Sequence, residues 1–170
     1  MAILNPSGRY QRADRSLRRR ELKRLLLLLI PIFFVGCFRS DVKPVKGERR
    51  HLRNVNLSGA DLSHLDLRNV NLSYSSVKNA DLTAVDLEGS ILVSANFQAA
   101  HLRGANLKGT DCRGADFLNA RLEQSDFRGA DLTHARFVGT DVKQANFRNT
   151  AGLTEDQKGD LKAKGALVDE

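Results

Sequence analysis

The chain has 170 residues and a formal net charge of +7, a balance that taken whole suggests an anionic partner such as nucleic acid. The distribution excludes that reading: residues 1–36 hold eight Lys/Arg against two Asp/Glu, whereas residues 37–170 hold nineteen against eighteen, a net of +1. The two cysteines, Cys37 and Cys112, sit in unrelated contexts and provide no disulfide framework.

Residues 1–37 read as an export signal and membrane-tethering leader. Arg15, Arg18, Arg19, Arg20, Lys23 and Arg24 precede an unbroken apolar run from Leu25 to Val35, which ends in Gly36 and Cys37. A basic stretch, about a dozen apolar residues and then a small residue form a secretory layout, and the run is shorter than the roughly 20 residues of a membrane-spanning helix. Phe34-Val35-Gly36-Cys37 resembles the lipobox of bacterial lipoproteins, with Phe34 where Leu is usual; the resemblance makes Cys37 the lipid acceptor. An uncleaved signal-anchor, cytoplasmic at its basic N-terminus, and a twin-arginine signal around Arg19-Arg20-Glu21-Leu22-Lys23 are the rival readings. Each leading reading places the remainder of the chain outside the cytoplasm, held at a membrane by the leader or by lipid. Residues 38–49, with Lys43, Pro44 and Lys46, read as a linker.

From residue 50 to 149 one five-residue phrase repeats twenty times. Its centres, from Leu52 in steps of five to Phe147, are twelve Leu, five Phe, Val77, Val142 and Cys112. Two places before each centre the residue is small or β-branched in eighteen of twenty units, with Arg50 and Leu65 the exceptions, and the residue immediately before the centre is Asp or Asn in fourteen. In extended chain alternate side chains face opposite ways, so the small residue and the centre face inward while their neighbours face outward. The fifth position is often Gly or Asn, the residues that tolerate a tight corner. Short sides joined by regular bends, all turning an apolar pair toward one axis, predict a solenoid in which each coil covers the next.

Runs such as Ala60-Asp61-Leu62-Ser63, Ala105-Asn106-Leu107-Lys108-Gly109 and Ala130-Asp131-Leu132-Thr133 resemble the pentapeptide-repeat family over about six-tenths of the chain. The resemblance implies an all-β fold, a right-handed quadrilateral β-helix of four pentapeptides per coil and hence about five coils. The spacing of Phe97, Phe117 and Phe137, and of Phe127 and Phe147, places these rings in two of four columns. Five coils at about 4.8 Å give a rod roughly 24 Å long.

After Asn149 the pattern breaks, and residues 150–170 read as a C-terminal cap. Thr154 and Gln157 have capping-box spacing, and Lys162 and Lys164 lie near the end of the stretch before Gly165, so a short helix is predicted with Leu153 and Leu161 against the last coil.

No catalytic residue, metal ligand or cofactor is expected. His51, His64, His101 and His134 fall at different positions without partners at ligand spacing. Cys112 is expected to be a small buried hydrophobe. The recurrent Asp and Asn residues are expected to accept backbone N–H groups at the corners. No nucleophile–base order or phosphate-cradling loop occurs, and no small-molecule substrate is expected. Outward apolar residues are rare. Leu118 and Val138 are expected one coil apart in one column, with Ile91 and Val93 on the adjoining side, either as a small patch for a protein partner or a second copy, or as ordinary scattered surface hydrophobes. The expected function is thus an exported, membrane-associated structural or interaction module, in a periplasm or thylakoid lumen. The alternative that the family resemblance offers, a cytoplasmic DNA-mimicking rod that binds type II topoisomerases, requires a strongly acidic surface.

Overall fold

The structure is a computed structural model that describes residues 50–169; the leader, Cys37 and the linker 38–49 lie outside the described residues. Two short strands, β1 (Arg50–His51) and β2 (Val70–Asn71), pair in parallel with Arg50 opposite Val70. The same pairing recurs at a spacing of twenty along the repeat, from Asn56 with Ser76 to Asp126 with Asn146. A neighbour every twenty residues and a corner every five give four sides to each coil, as the sequence predicts.

Through most of the repeat a side is tied to the next coil by three backbone bonds. On the side centred on Leu82, the Leu82 N–H donates to the His101 carbonyl (2.7 Å), Ala84 to Arg103 (2.9 Å), and His101 returns a bond to Ala80 (2.9 Å). Corners close within the coil: the Ala105 N–H donates to the Leu102 carbonyl at 3.0 Å, forming a four-residue turn. The third residue of that turn has φ between +52° and +70° in all twenty units, as a type II turn requires. Seven of these corners carry Gly and five Asn, but the other eight carry His64, Tyr74, Ala84, Ser94, Ala99, Gln124, His134 and Gln144. There the twenty-residue ladder holds a backbone conformation that the local residue does not favour.

The inward pairs fill the rod. Leu82, Leu102 and Leu122 are fully buried in one column. The five phenylalanines form two stacks, Phe97–Phe117–Phe137 with centroids 5.2 and 5.3 Å apart and Phe127–Phe147 at 4.8 Å. The stacks meet edge to face, as between Phe117 and Phe127 at 88°, an arrangement the ring quadrupoles favour. One centre departs from expectation. Leu57 is only partly buried, like the inward Val55 and Leu65; all three belong to the first coil, which among the described residues has a neighbour on one side only.

At the other end, α1 (Glu155–Ala163) forms as predicted, with the reciprocal Thr154–Gln157 capping box. Leu161 is buried against the last coil and Leu153 partly so. Gln157 Nε2 donates to the Ala135 carbonyl at 2.9 Å, which pins the helix across the rod. The ladder itself does not stop at Asn149. Ala151 pairs with Asp131, and beyond the helix Leu167 pairs with Asn146 at a spacing of twenty-one. The helix therefore replaces the middle of a sixth coil whose first and last sides are still present.

Candidate interaction surface

The outer wall follows from how the repeat uses its polar groups. All fourteen Asp and Asn residues that precede a centre accept the N–H two residues ahead, at 3.0–3.3 Å, in Asx turns that brace the corner. Four arginines, Arg68, Arg113, Arg128 and Arg136, then close on carboxylates of this set. Arg68 reaches Asp66 at 2.8 Å and Asp86 at 3.4 Å; Arg113 reaches Asp111 at 2.7 Å and Asp131 at 3.8 Å. Hydrogen bonding to Asp66, Asp111 and Asp126 raises the pKa of Arg68, Arg113 and Arg128, respectively. At Asp126 burial pushes the carboxyl up, but the hydrogen bonds from Arg128 and Lys108 prevail and hold it below its ordinary value. These charges are matched within the ladder, in pairs that run along a coil and between coils.

Reactive groups are not gathered anywhere among the described residues. Cys112 is fully buried, and burial pushes its thiol up to about 12 although Thr110 lies 3.2 Å from the sulfur, so it is no nucleophile at neutral pH. The four histidines are exposed, and no cluster with metal-binding capacity occurs among the described residues. One surface cavity of about 320 Å³ is lined by Arg103, Glu123, Gln124, Asp141, Lys143 and Gln144. Glu123 Oε2 is buried there without a hydrogen-bond partner, between the Arg103 and Lys143 levels of the same column. Every lining residue is charged or carries an amide, whereas pockets that hold small molecules are lined mainly by apolar and aromatic side chains.

The expected apolar residues are placed as follows. Leu118 and Val138 occupy one column on consecutive coils: the Ala99 N–H donates to the Leu118 carbonyl and the Asn119 N–H to that of Val138, both at 2.9 Å. Val138 is 64% exposed and Leu118 partly buried. Ile91 and Val93 lie on the adjoining side in the third coil, where Ile91 is bracketed by Asn71 and Asp111. The two pairs belong to different columns. Sequence reasoning overlooked Tyr74 as part of this surface. It is 53% exposed at a corner, its N–H donates to the Val93 carbonyl at 2.9 Å, and the Arg53 guanidinium lies 5.6 Å from its ring centroid. Tyr74 stands twenty residues before Ser94, directly beside Val93, a relation that the twenty-residue ladder makes visible.

Pentapeptide repeats match residues 51–89, 80–117, 95–133 and 110–149, as eight copies. No curated protein matches the chain. Among solved structures, a pentapeptide repeat protein from the Arabidopsis thaliana thylakoid lumen is 26% identical with a TM-score of 0.62, covering 69% of this chain and 81% of its own. A pentapeptide repeat protein from Nostoc is 28% identical over 67% of this chain and 84% of its own, with a TM-score of 0.40. QnrB1, a plasmid-mediated fluoroquinolone resistance protein, is 16% identical over 71% of this chain and 80% of its own, with a TM-score of 0.42. Structures of this kind are right-handed quadrilateral β-helices.

Proposed function

Because the chain belongs to the pentapeptide repeat family, we propose that it is a non-enzymatic, exported rod of right-handed coil, tethered at a membrane through its leader or a lipidated Cys37, that serves as a structural or protein-interaction module. The observation that carries this reading is the commitment of the outward polar groups to the rod itself. Fourteen carboxylate or amide side chains brace their own corners, and Arg68, Arg113, Arg128 and Arg136 are taken up by carboxylates of that set. Against that largely self-satisfied polar wall, the few apolar outward residues are the distinctive feature a partner could read. Leu118 and Val138 form the core of the docking surface for a protein partner, with Ile91, Val93 and Tyr74 around the neighbouring edge. The leader supports residence in a periplasm or lumen, and the relative from a thylakoid lumen is consistent with it.

A cytoplasmic DNA-mimicking rod is disfavoured by charge, since residues 37–170 carry a net of only +1 and duplex DNA is a dense polyanion. Cell fractionation with protease protection tests the proposal. The protein is expected with the membranes, its repeat on the non-cytoplasmic side. A soluble cytoplasmic pool would overturn the export reading.

A further inference from the structure

Two surface features at opposite ends of the rod complement each other. In the first two coils the Arg53 guanidinium lies over the exposed Tyr74 ring, 5.6 Å from its centroid, and Arg53 is itself exposed. In the fourth and fifth coils Leu118 and Val138 stand one coil apart, near the cavity where Glu123 Oε2 is buried without a hydrogen-bond partner. We propose that these are the two halves of one contact between copies of this chain: the Tyr74 ring of one copy seats on Leu118 and Val138 of the next, and its Arg53 guanidinium donates to Glu123. The inference rests on the interaction-module reading and on no part of the export reading.

Glu123 is where the rod's own pairing stops. Elsewhere a carboxylate is met from the neighbouring coil: Asp86 by Arg68 at 3.4 Å, Asp126 by Lys108 at 3.3 Å and Asp116 by Arg136 at 3.2 Å. Arg103 and Lys143 stand one coil before and one coil after Glu123 in its column, yet among the described residues neither reaches Oε2. Both of these cations are exposed and keep their water, whereas a buried carboxylate oxygen without a donor costs free energy. The group with most to gain from a second molecule is therefore an acceptor. Val138 precedes the cavity residue Asp141 by three positions, at most about 10 Å of chain, so apolar contact and acceptor lie within reach of one pair of side chains.

Arg53 and Tyr74 supply that pair. Among the described residues Arg53 touches the Tyr74 ring and no carboxylate, so its donors are available, and the cation–π contact holds guanidinium and ring together as one unit. Tyr and Arg are the side chains on which interface energy concentrates, the first through apolar area and the second through charged donors. The two halves occupy different coils, so the contact is heterologous. Each copy keeps one half free, and the contact builds rows or rings rather than a two-fold pair.

The test uses two differently tagged copies of the full-length protein in its membranes. One carries Ser94→Cys, in the corner column of Tyr74, and the other Gln124→Cys, next to Glu123; both positions are exposed. Mild oxidation is expected to join the two tags well above the level that the native cysteines give alone, and to yield little product from two Ser94→Cys copies or two Gln124→Cys copies. Arg53→Glu is expected to cut the yield several-fold when the Ser94→Cys copy carries it and to leave it unchanged when the Gln124→Cys copy does. Glu123→Arg in the Gln124→Cys copy is expected to cut the yield likewise, and Arg53→Glu in the opposite copy to restore it. Glu123→Gln keeps the side-chain shape and is expected to lower the yield at an unchanged melting temperature. No cross-link between copies, a stronger product from two Gln124→Cys copies, or a yield indifferent to Glu123→Gln would each overturn the proposal. A different protein cross-linked at Gln124→Cys in place of a second copy would overturn it too, while leaving the interaction-module reading intact.

Discussion

The rings of Phe127 and Phe147, twenty residues apart, lie 4.8 Å centroid to centroid and within 7° of parallel. That one relationship contains the whole architecture: a side chain's nearest core neighbour is the residue one coil away, and every inward column is a continuous stack. Removing volume from the middle of such a stack leaves a void that the coils above and below cannot close without breaking their backbone ladder. Leu102→Ala is therefore expected to lower unfolding free energy by about 2–5 kcal/mol. Arg103→Ala, next along the chain but outward and exposed, is expected to cost less than about 0.5 kcal/mol. Denaturant unfolding of the two variants side by side measures the contrast.

The corners predict an asymmetry of the opposite kind. A Cβ at Gly109 meets nothing within 4 Å, yet φ is +59° there, so Gly109→Ala is expected to cost about 1 kcal/mol through backbone conformation alone. Ala99 holds φ at +54°, and Ala99→Gly is expected to raise stability by up to about 1 kcal/mol once the greater freedom of the unfolded chain is allowed for. Equal and negligible effects at both sites, read from melting temperatures, would mean that the ladder imposes no strain.

Acid should loosen the Asp126 contacts. Its folded-state pKa is depressed below the ordinary 3.8, so its contribution to stability is present above that value and is lost as the pH falls through the lower folded value. Asp126→Asn keeps an acceptor for the Arg128 N–H but not the charge. The stability difference between wild type and Asp126→Asn is expected to be greatest near neutrality and to shrink below about pH 4, which chemical unfolding across pH 2–7 would follow.

How much of this was legible in the sequence depends on the range of the interaction. The columns of phenylalanine, the burial of Leu102 and the roles of Asp61 or Asn106 were readable because they follow from the period alone. The Thr154–Gln157 cap was readable because capping is local. Leu57 was misjudged because its burial depends on the coil before it, not on its own unit. The pairing of Leu167 with Asn146 escaped because α1 intervenes and the spacing lengthens to twenty-one. Tyr74 escaped because nothing in its own five residues marks it as the neighbour of Val93.

Anchoring is tested at Cys37. Cys37→Ala is expected to abolish incorporation of labelled fatty acid and to release or redistribute the rod from membranes, because stable anchoring needs more than one acyl chain or a second signal. A variant that is still labelled and fractionates like the wild type would remove the lipoprotein reading, and retention of residues 1–24 in the mature protein would favour the signal-anchor.

The docking surface is tested by replacing its two column neighbours together. Leu118→Ser with Val138→Ser is expected to abolish association with a cross-linked or co-purifying protein while the melting temperature stays nearly constant, since Val138 is exposed and Leu118 only partly buried. A complex that survives both substitutions places the partner elsewhere on the rod.

The Asx turns carry a consequence for how such a scaffold varies. Nine of the fourteen bracing residues are Asp and five are Asn, and both offer the same acceptor oxygen to the same N–H. Each exchange between them moves the surface by one unit of charge and leaves the corner intact. Net charge is thus nearly decoupled from architecture: one set of coils can be drawn toward a polyanion or toward neutrality by point changes that the core never registers. In this chain that dial stands near its balance point, and the acidic positions without a basic neighbour are the ones that turn at least cost.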